Sequence, residues 1–262
     1  MSKTALITGA SGGIGYELAK LFAKDQTNLV LVARSREKLE EFASDLQQKH
    51  SITVKVYAID LSKPSAPSEV FSYTEKETIR VDYLINNAGF GIRDSFASSD
   101  TNQILEMIQL NISALTHLTK LYLPQMLQQK SGKILNVAST AAYQPGPWMA
   151  VYYATKAYVL SLSEALSNEL SKTGVTVTTL CPGPTPTGFQ QRAGATNIQL
   201  MKSKVVAVLD AAAVAKQGYE GMMRGKKVII PGFMNRLLAL GARVGPRDWS
   251  TAIAGSMNKN KS

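Results

Sequence analysis

Apolar residues along this chain come in short runs separated by longer stretches with helical spacing. Thr4 to Thr8 (TALIT) is a compact apolar run with β-branched residues that stops at a glycine cluster. Ile14 to Ala23 then repeats apolar residues at Ile14, Leu18, Leu21 and Phe22, a spacing that predicts strand, tight turn and helix. The step recurs with Leu29 to Val32 as strand and Arg36 to Lys49 as helix, then Val54 to Ile59 as strand with a weaker helix up to Thr78. Tyr83 to Ile85 predicts a fourth strand, Thr101 to Gln129 a long helix, and Lys133 to Ala138 a fifth strand. A helix over about Tyr152 to Ser171, a strand at Val175 to Leu180, a helix at Ala211 to Met223 and a seventh strand at Lys227 to Ile230 complete the pattern. Continuous apolar strands alternating with amphipathic helices predict a seven-stranded parallel sheet with helices on both faces.

The first turn reads Thr8-Gly9-Ala10-Ser11-Gly12-Gly13-Ile14-Gly15, directly after a predicted strand and at the start of a predicted helix. Glycines there permit positive φ and let backbone amides approach a pyrophosphate, while the helix N-terminus adds partial positive charge. In this context the turn points to a dinucleotide and to a doubly wound Rossmann-type α/β fold. After the second strand comes Ala33-Arg34-Ser35-Arg36, with no acid to hold a ribose 2′-hydroxyl. A guanidinium suits a 2′-phosphate, so NADP(H) is favoured over NAD(H).

Length and charge narrow the picture further. The 262 residues, 45% hydrophobic and 18% charged, suffice for one large core and are expected to form a single domain over 1–262. The lone Cys181 excludes an intrachain disulfide framework and suggests a reducing, cytoplasmic setting. The charge-free stretch from Ile134 to Thr155 contains Asn136, Gln144, Pro145, Gly146 and Pro147, which argues against a membrane span. His50 and His117 show no metal-ligand spacing, so no metal site is expected. The net charge of +10 is uneven. Residues 221–262 hold eight basic residues against Asp248 alone, a net of +7. Such a tail could meet an anionic membrane surface, nucleic acid or an acidic carrier, or be a solvated face; without aromatic interleaving or a recognisable module, nucleic acid is not expected.

Several motifs then fall in one order. Asp60 follows the third strand, Asn86-Asn87-Ala88-Gly89 the fourth, Asn111 lies in the long helix, and Ser139 closes the fifth strand. Tyr152-Tyr153-Ala154-Thr155-Lys156 reads YxxxK, and Pro182-Gly183-Pro184-Thr185-Pro186-Thr187 follows the sixth strand. With Thr8 to Gly15 as TGxxxGxG, the chain resembles the short-chain dehydrogenase/reductase family from Thr4 to about Ile230, and loosely its acyl- and steroid-ketone reductase branch. The resemblance implies an oxidoreductase with Asn111, Ser139, Tyr152 and Lys156 as catalytic positions. It implies cofactor contacts from Gly9, Ser11, Gly12, Gly13, Ile14, Gly15, Arg34, Asp60, Leu61, Asn87, Ala88 and Gly89. Tyr152, Lys156, Pro182, Gly183, Thr185 and Thr187 complete that set, with Lys156 on the nicotinamide ribose and Asn111 helping to hold a proton-supplying water chain.

The residues argue for the same chemistry on their own. Tyr152 and Lys156, four apart on a helix, share one face, and a nearby ammonium is expected to lower the phenol's pKa. Tyr152 would then pass a proton to or from a substrate oxygen that Ser139 holds by a hydrogen bond. Tyr153 is a rival hydroxyl, since a residue three from Lys156 could also meet it. Cys181 reads as a packed thiol. Substrate choice is expected in Tyr143, Pro145, Trp148 and Met149, in a loop over 187–210 that includes Phe189 and Met201, and in a basic extension over 231–262 with Phe233, Met234 and Leu237 to Leu240. That lining suits a bulky hydrophobic ketone or secondary alcohol. The segment from Pro231 to Arg243 looks like an amphipathic helix with basic ends, able to cover the pocket, lie on a membrane or pack in the core. A non-catalytic NADP(H)-sensing protein is the alternative. Wide apolar arcs on the long helix (Ile104, Leu105, Ile108, Ile112, Leu115, Leu118, Thr119, Tyr122) and on the Tyr152 helix (Val159, Leu160, Leu162, Ala165, Leu166, Leu170) predict a homodimer or a tetramer of dimers.

Overall fold

The computed structural model describes residues 2–189 and 208–259. Its strands are β1 (Thr4–Thr8), β2 (Asn28–Ala33), β3 (Val54–Ala58), β4 (Tyr83–Asn86), β5 (Gly132–Val137), β6 (Val175–Leu180) and β7 (Val228–Ile229). All pair in parallel, in the order β3-β2-β1-β4-β5-β6-β7. The helices are α1 (Gly13–Lys24), α2 (Arg36–Lys49), α3 (Ala66–Lys76), α4 (Thr101–Ile108), α5 (Leu115–Gln128), α6 (Ala150–Glu169), α7 (Ala211–Met223), α8 (Phe233–Val244) and α9 (Arg247–Asn258).

Successive side chains of a strand point to opposite faces, so a sheet covered on both sides needs apolar residues at every position. Ala5, Ile7, Leu29, Leu31, Ile85 and Leu135 pack with α1, α2 and α7 on one face. Leu6, Val30, Leu84, Ile134 and Val177 form a single rung across five strands and pack with α3 to α6 on the other. From β1 the chain winds outward to β3, then returns to place β4 on β1's other side. The loops after β1 and β4 therefore diverge at the carboxyl ends of the strands, where doubly wound sheets bind ligands.

Three differences from the sequence reading bear on the site. The stretch 101–129 is not one regular helix: a π-helical turn, Gln109–Ala114, joins α4 to α5. The seventh strand is only two residues long. The tail forms two helices, α8 and α9, of which α9 was not predicted. Residues 190–207, with Met201 of the expected substrate loop, and Lys261 lie outside the described residues. No helix among the described residues is long and apolar enough to cross a membrane.

Candidate active site

The glycine turn is held by the segment that follows β4. Thr8 Oγ1 donates to Ile85 O at 3.2 Å and accepts from the backbone N–H groups of Asn87 and Ala88 at 2.9 and 3.0 Å. Asn87 Nδ2 in turn donates to Thr8 O and Gly9 O at 2.9 and 3.2 Å. A side chain at Gly9, where φ is +67°, would strike this amide at 2.8 Å, and one at Gly15 would overlap it. Gly15 thus serves the packing of α1 on the strand ends rather than an open surface. Among the described residues no side chain caps the first turn of α1, which leaves its amides facing a cavity of about 950 Å³.

Every predicted cofactor position except Gly15 lines that cavity, from Gly9 through Arg34, Asp60, Leu61 and Asn87 to Thr185 and Thr187. Lys38, which the sequence reading missed, lines it one helical turn beyond Arg34. Burial alone would raise the Asp60 carboxyl. Hydrogen bonds from Ser62 N and Oγ at 3.0 and 2.8 Å, with Arg34 and Lys63 nearby, outweigh this and hold it below the ordinary value. A glycine cradle at an uncapped helix start, with two cations in the segment after β2, whose Val32 carbonyl bonds the Gly9 amide, fits a phosphorylated dinucleotide.

Ser139, Tyr152 and Lys156 meet in the same cavity. Ser139, at the end of β5, accepts from Ala141 N at 3.1 Å and donates to Pro182 O at 3.3 Å. Tyr152 is buried on α6 and lines the cavity with Ser139. Its neighbour Tyr153 lines the same cavity, but its hydroxyl is held by Asn258 of α9 at 3.2–3.4 Å. The one-residue offset on α6 thus separates the two hydroxyls that spacing alone left open. Lys156 Nζ donates to Val137 O at 2.9 Å and lies 5.9 Å from the centre of the Tyr152 ring.

Tyr152 does not carry the lowered pKa that its spacing from Lys156 predicts. Burial pushes the phenol upward, and the nearby Ser139 hydroxyl only partly offsets it. The same burial lowers the Lys156 ammonium to about 8. Exclusion of water outweighs attraction between the two groups in the free protein. Asn111 does not line the cavity. It sits in the π turn, where its Nδ2 donates to Phe90 O at 2.9 Å and Thr155 Oγ1 at 3.1 Å, and its Oδ1 accepts from Phe90 N at 3.1 Å. π turns often mark functional sites. Here the turn aims an amide at the segment after β4.

The apolar wall includes Met149, Phe189, Leu237, Leu238, Trp249, Ile253 and Met257. Of the predicted substrate positions, Trp148, Phe233, Met234 and Leu240 are exposed and, with Tyr143 and Pro145, stay outside the lining. Tyr143 instead places its hydroxyl 3.8 Å from Cys181 Sγ, and burial pushes that thiol up to about 12. The contribution of α9, through Trp249, Ser250, Ile253, Met257 and Asn258, was missed. Pro246 ahead of the helix and Asp248 in its first turn were the available signals.

The family model for short chain dehydrogenase matches residues 3–198. An uncharacterized oxidoreductase from Staphylococcus saprophyticus is 33% identical over 181 residues, which is 69% of this chain and 77% of that protein. A short-chain dehydrogenase from Sphingobium yanoikuyae, solved in complex with NADPH, is 35% identical with a TM-score of 0.82, covering 92% of this chain and 93% of its own. The bulky-bulky ketone specific alcohol dehydrogenase from Comamonas testosteroni is 32% identical with a TM-score of 0.77, covering 88% and 86%.

Proposed function

Since the chain belongs to the short-chain dehydrogenase family of oxidoreductases, we propose that it reduces a bulky hydrophobic ketone with NADPH, or oxidises the corresponding secondary alcohol. The observation that carries this reading is the meeting of Ser139, buried Tyr152 and buried Lys156 in one cavity with an apolar wall. Bound NADP(H) would supply or accept the hydride. Arg34 and Lys38 would hold its 2′-phosphate, and the Gly9–Gly13 backbone its pyrophosphate. A relative solved with NADPH and one described as specific for bulky-bulky ketones support the cofactor and the substrate class.

In reduction, Ser139 donates a hydrogen bond to the carbonyl oxygen as charge develops there, and Tyr152 passes it a proton. The burial that raises Tyr152 keeps it protonated across the neutral range, as a donor must be. As its proton leaves, the ammonium of Lys156 stabilises the phenolate. In the reverse direction Tyr152 must first lose its proton, which favours alkaline conditions. Asn111 acts as a positioning residue, since its amide bonds hold Phe90 and Thr155 rather than the reacting atoms.

The test is loss of NADPH absorbance over a panel of ketones of increasing bulk, with NADH in parallel. Turnover is expected for bulky ketones, with NADPH preferred by about 10- to 150-fold, the equivalent of a charge-assisted contact of roughly 1.5–3 kcal/mol. Tyr152→Phe should lose at least about 100-fold in kcat. NADPH binding without turnover of any ketone, with Tyr152→Phe behaving like the parent, would leave a sensing role and sink the reductase reading.

A further inference from the structure

Helix α8 buries little of itself. Of its residues only Asn235 and Ala239 are buried, and with half-buried Ala242 they mark one side of the helix. At about 100° per residue, the opposite crest is formed by Phe233, Leu237, Leu240 and Val244. Phe233 is 77% exposed and Val244 85%, and Trp249 at the start of α9 is 72% exposed. Such a helix reverses the usual arrangement, in which the apolar stripe faces the core. An apolar ridge of this kind marks a contact with something other than water.

The two flanks of α8 differ. One carries Arg236 and Arg243, both exposed, and exposed Arg247 opens α9 beside them. The other carries Leu238 and Gly241, which line the cavity together with the buried side of the helix, Leu237 at the edge of the crest and Trp249. The ridge therefore runs along the cavity mouth with a row of guanidinium groups on its far side.

We propose that the α8 crest, with Trp249, docks on an anionic lipid surface, seating the cavity mouth against it. Aromatic and aliphatic side chains enter the boundary between headgroups and acyl chains, while the arginines extend to the phosphates. Charge decides between lipid and a second copy of the chain. On α8 and α9 themselves, Arg236, Arg243 and Arg247 stand against Asp248 alone, a net of +2. A two-fold contact uses the same patch on both subunits and would set these charges against one another, whereas anionic headgroups neutralise them. Docking does not depend on the reductase reading, because vesicle binding is measured without substrate.

The full chain is sedimented with vesicles of phosphatidylcholine alone or mixed with phosphatidylglycerol, at low and high salt. Three variants are compared with the parent: Arg236→Gln/Arg243→Gln, Phe233→Ser/Leu240→Ser/Val244→Ser, and Trp148→Phe, which leaves Trp249 as the fluorescent reporter. None of the substituted residues lines the cavity, and NADPH titration checks that each variant is folded. Binding should require phosphatidylglycerol and weaken with salt. It should fall roughly 25-fold in the arginine variant, at about fivefold per charge removed. The crest variant should lose binding, and Trp249 emission should move to shorter wavelength on anionic vesicles. Equal or absent binding to the two vesicle types overturns the proposal, as does binding that survives in the crest variant. So does a doubled mass in the parent that the crest variant abolishes, because a second copy would then cover the ridge.

Discussion

Lys156 is buried with its Nζ on the carbonyl of Val137 rather than on a carboxylate, and burial lowers its ammonium to about 8. Cofactor phosphates and ribose hydroxyls at this site would favour the charged form, so binding should draw protons from solution. The sign is fixed: well below pH 8 the lysine is already protonated, whereas at pH 8 about half the molecules have a proton to gain. Titration calorimetry with NADPH in buffers of different ionisation heats is expected to show about half a proton taken up per site at pH 8. The uptake should be smaller in mildly acidic buffer and absent in Lys156→Met. Identical heats in all buffers would refute the assignment. In the free protein the same shift makes charged Lys156 a cost to folding below about pH 8. That cost is relieved as pH rises toward the unfolded value. Sequence spacing brought Tyr152 and Lys156 together correctly. The direction of the Tyr152 shift was beyond it, because that depends on how completely distant segments exclude water. The choice between Tyr152 and Tyr153 likewise rests on Asn258, more than a hundred positions along the chain.

Asn258 ties the end of α9 to three other segments. Its Nδ2 donates to Pro147 O at 3.1 Å and to the Tyr153 hydroxyl at 3.2 Å, while its backbone carbonyl accepts from Arg93 Nε at 2.6 Å. The side chain is buried, so removing it leaves acceptors that water reaches poorly. Asn258→Ala should loosen α9 by about 1–3 kcal/mol of local stability. Amide exchange across 247–258 should quicken while β1, β4 and β5 keep their protection, with KM for bulky ketones rising more than kcat falls. Unchanged exchange in α9 would mean that its apolar contacts hold it alone. At this scale the strands and their covering helices were legible because continuous apolar runs and a 3.6-residue period carry them. The π turn was not, since one shifted backbone bond leaves the apolar period almost intact. Helix α9 escaped notice because the side it buries, Ser250, Ala254 and Asn258, is small or polar.

For the whole molecule, much of the apolar surface read from the sequence as a second face is used within the chain. Leu115, Leu118, Thr119 and Tyr122 are buried, as are Val159, Leu160 and Leu170. A narrower patch remains: Ile104, Ile108 and Ile112 half-buried and Leu105 57% exposed on α4 and the π turn, with Leu162 and Leu166 half-buried and Tyr158 exposed on α6. The hydroxyls of Thr116 and Tyr158 meet at 3.1 Å, so α5 and α6 present a common surface. None of the arginines of α8 and α9 belongs to this patch, which a two-fold contact would use on both subunits. We expect self-association here, with every cavity residue supplied by one chain. Size-exclusion chromatography with light scattering should give two or four times the 28.3 kDa chain mass. Leu105→Asp/Tyr158→Glu should bring it to the monomer without changing NADPH affinity, and Phe233→Ser/Leu240→Ser/Val244→Ser should leave the assembly intact. A parent protein that runs as a clean monomer at micromolar concentration would sink the prediction. Lost NADPH affinity in the Leu105 variant would mean instead that assembly shapes the site.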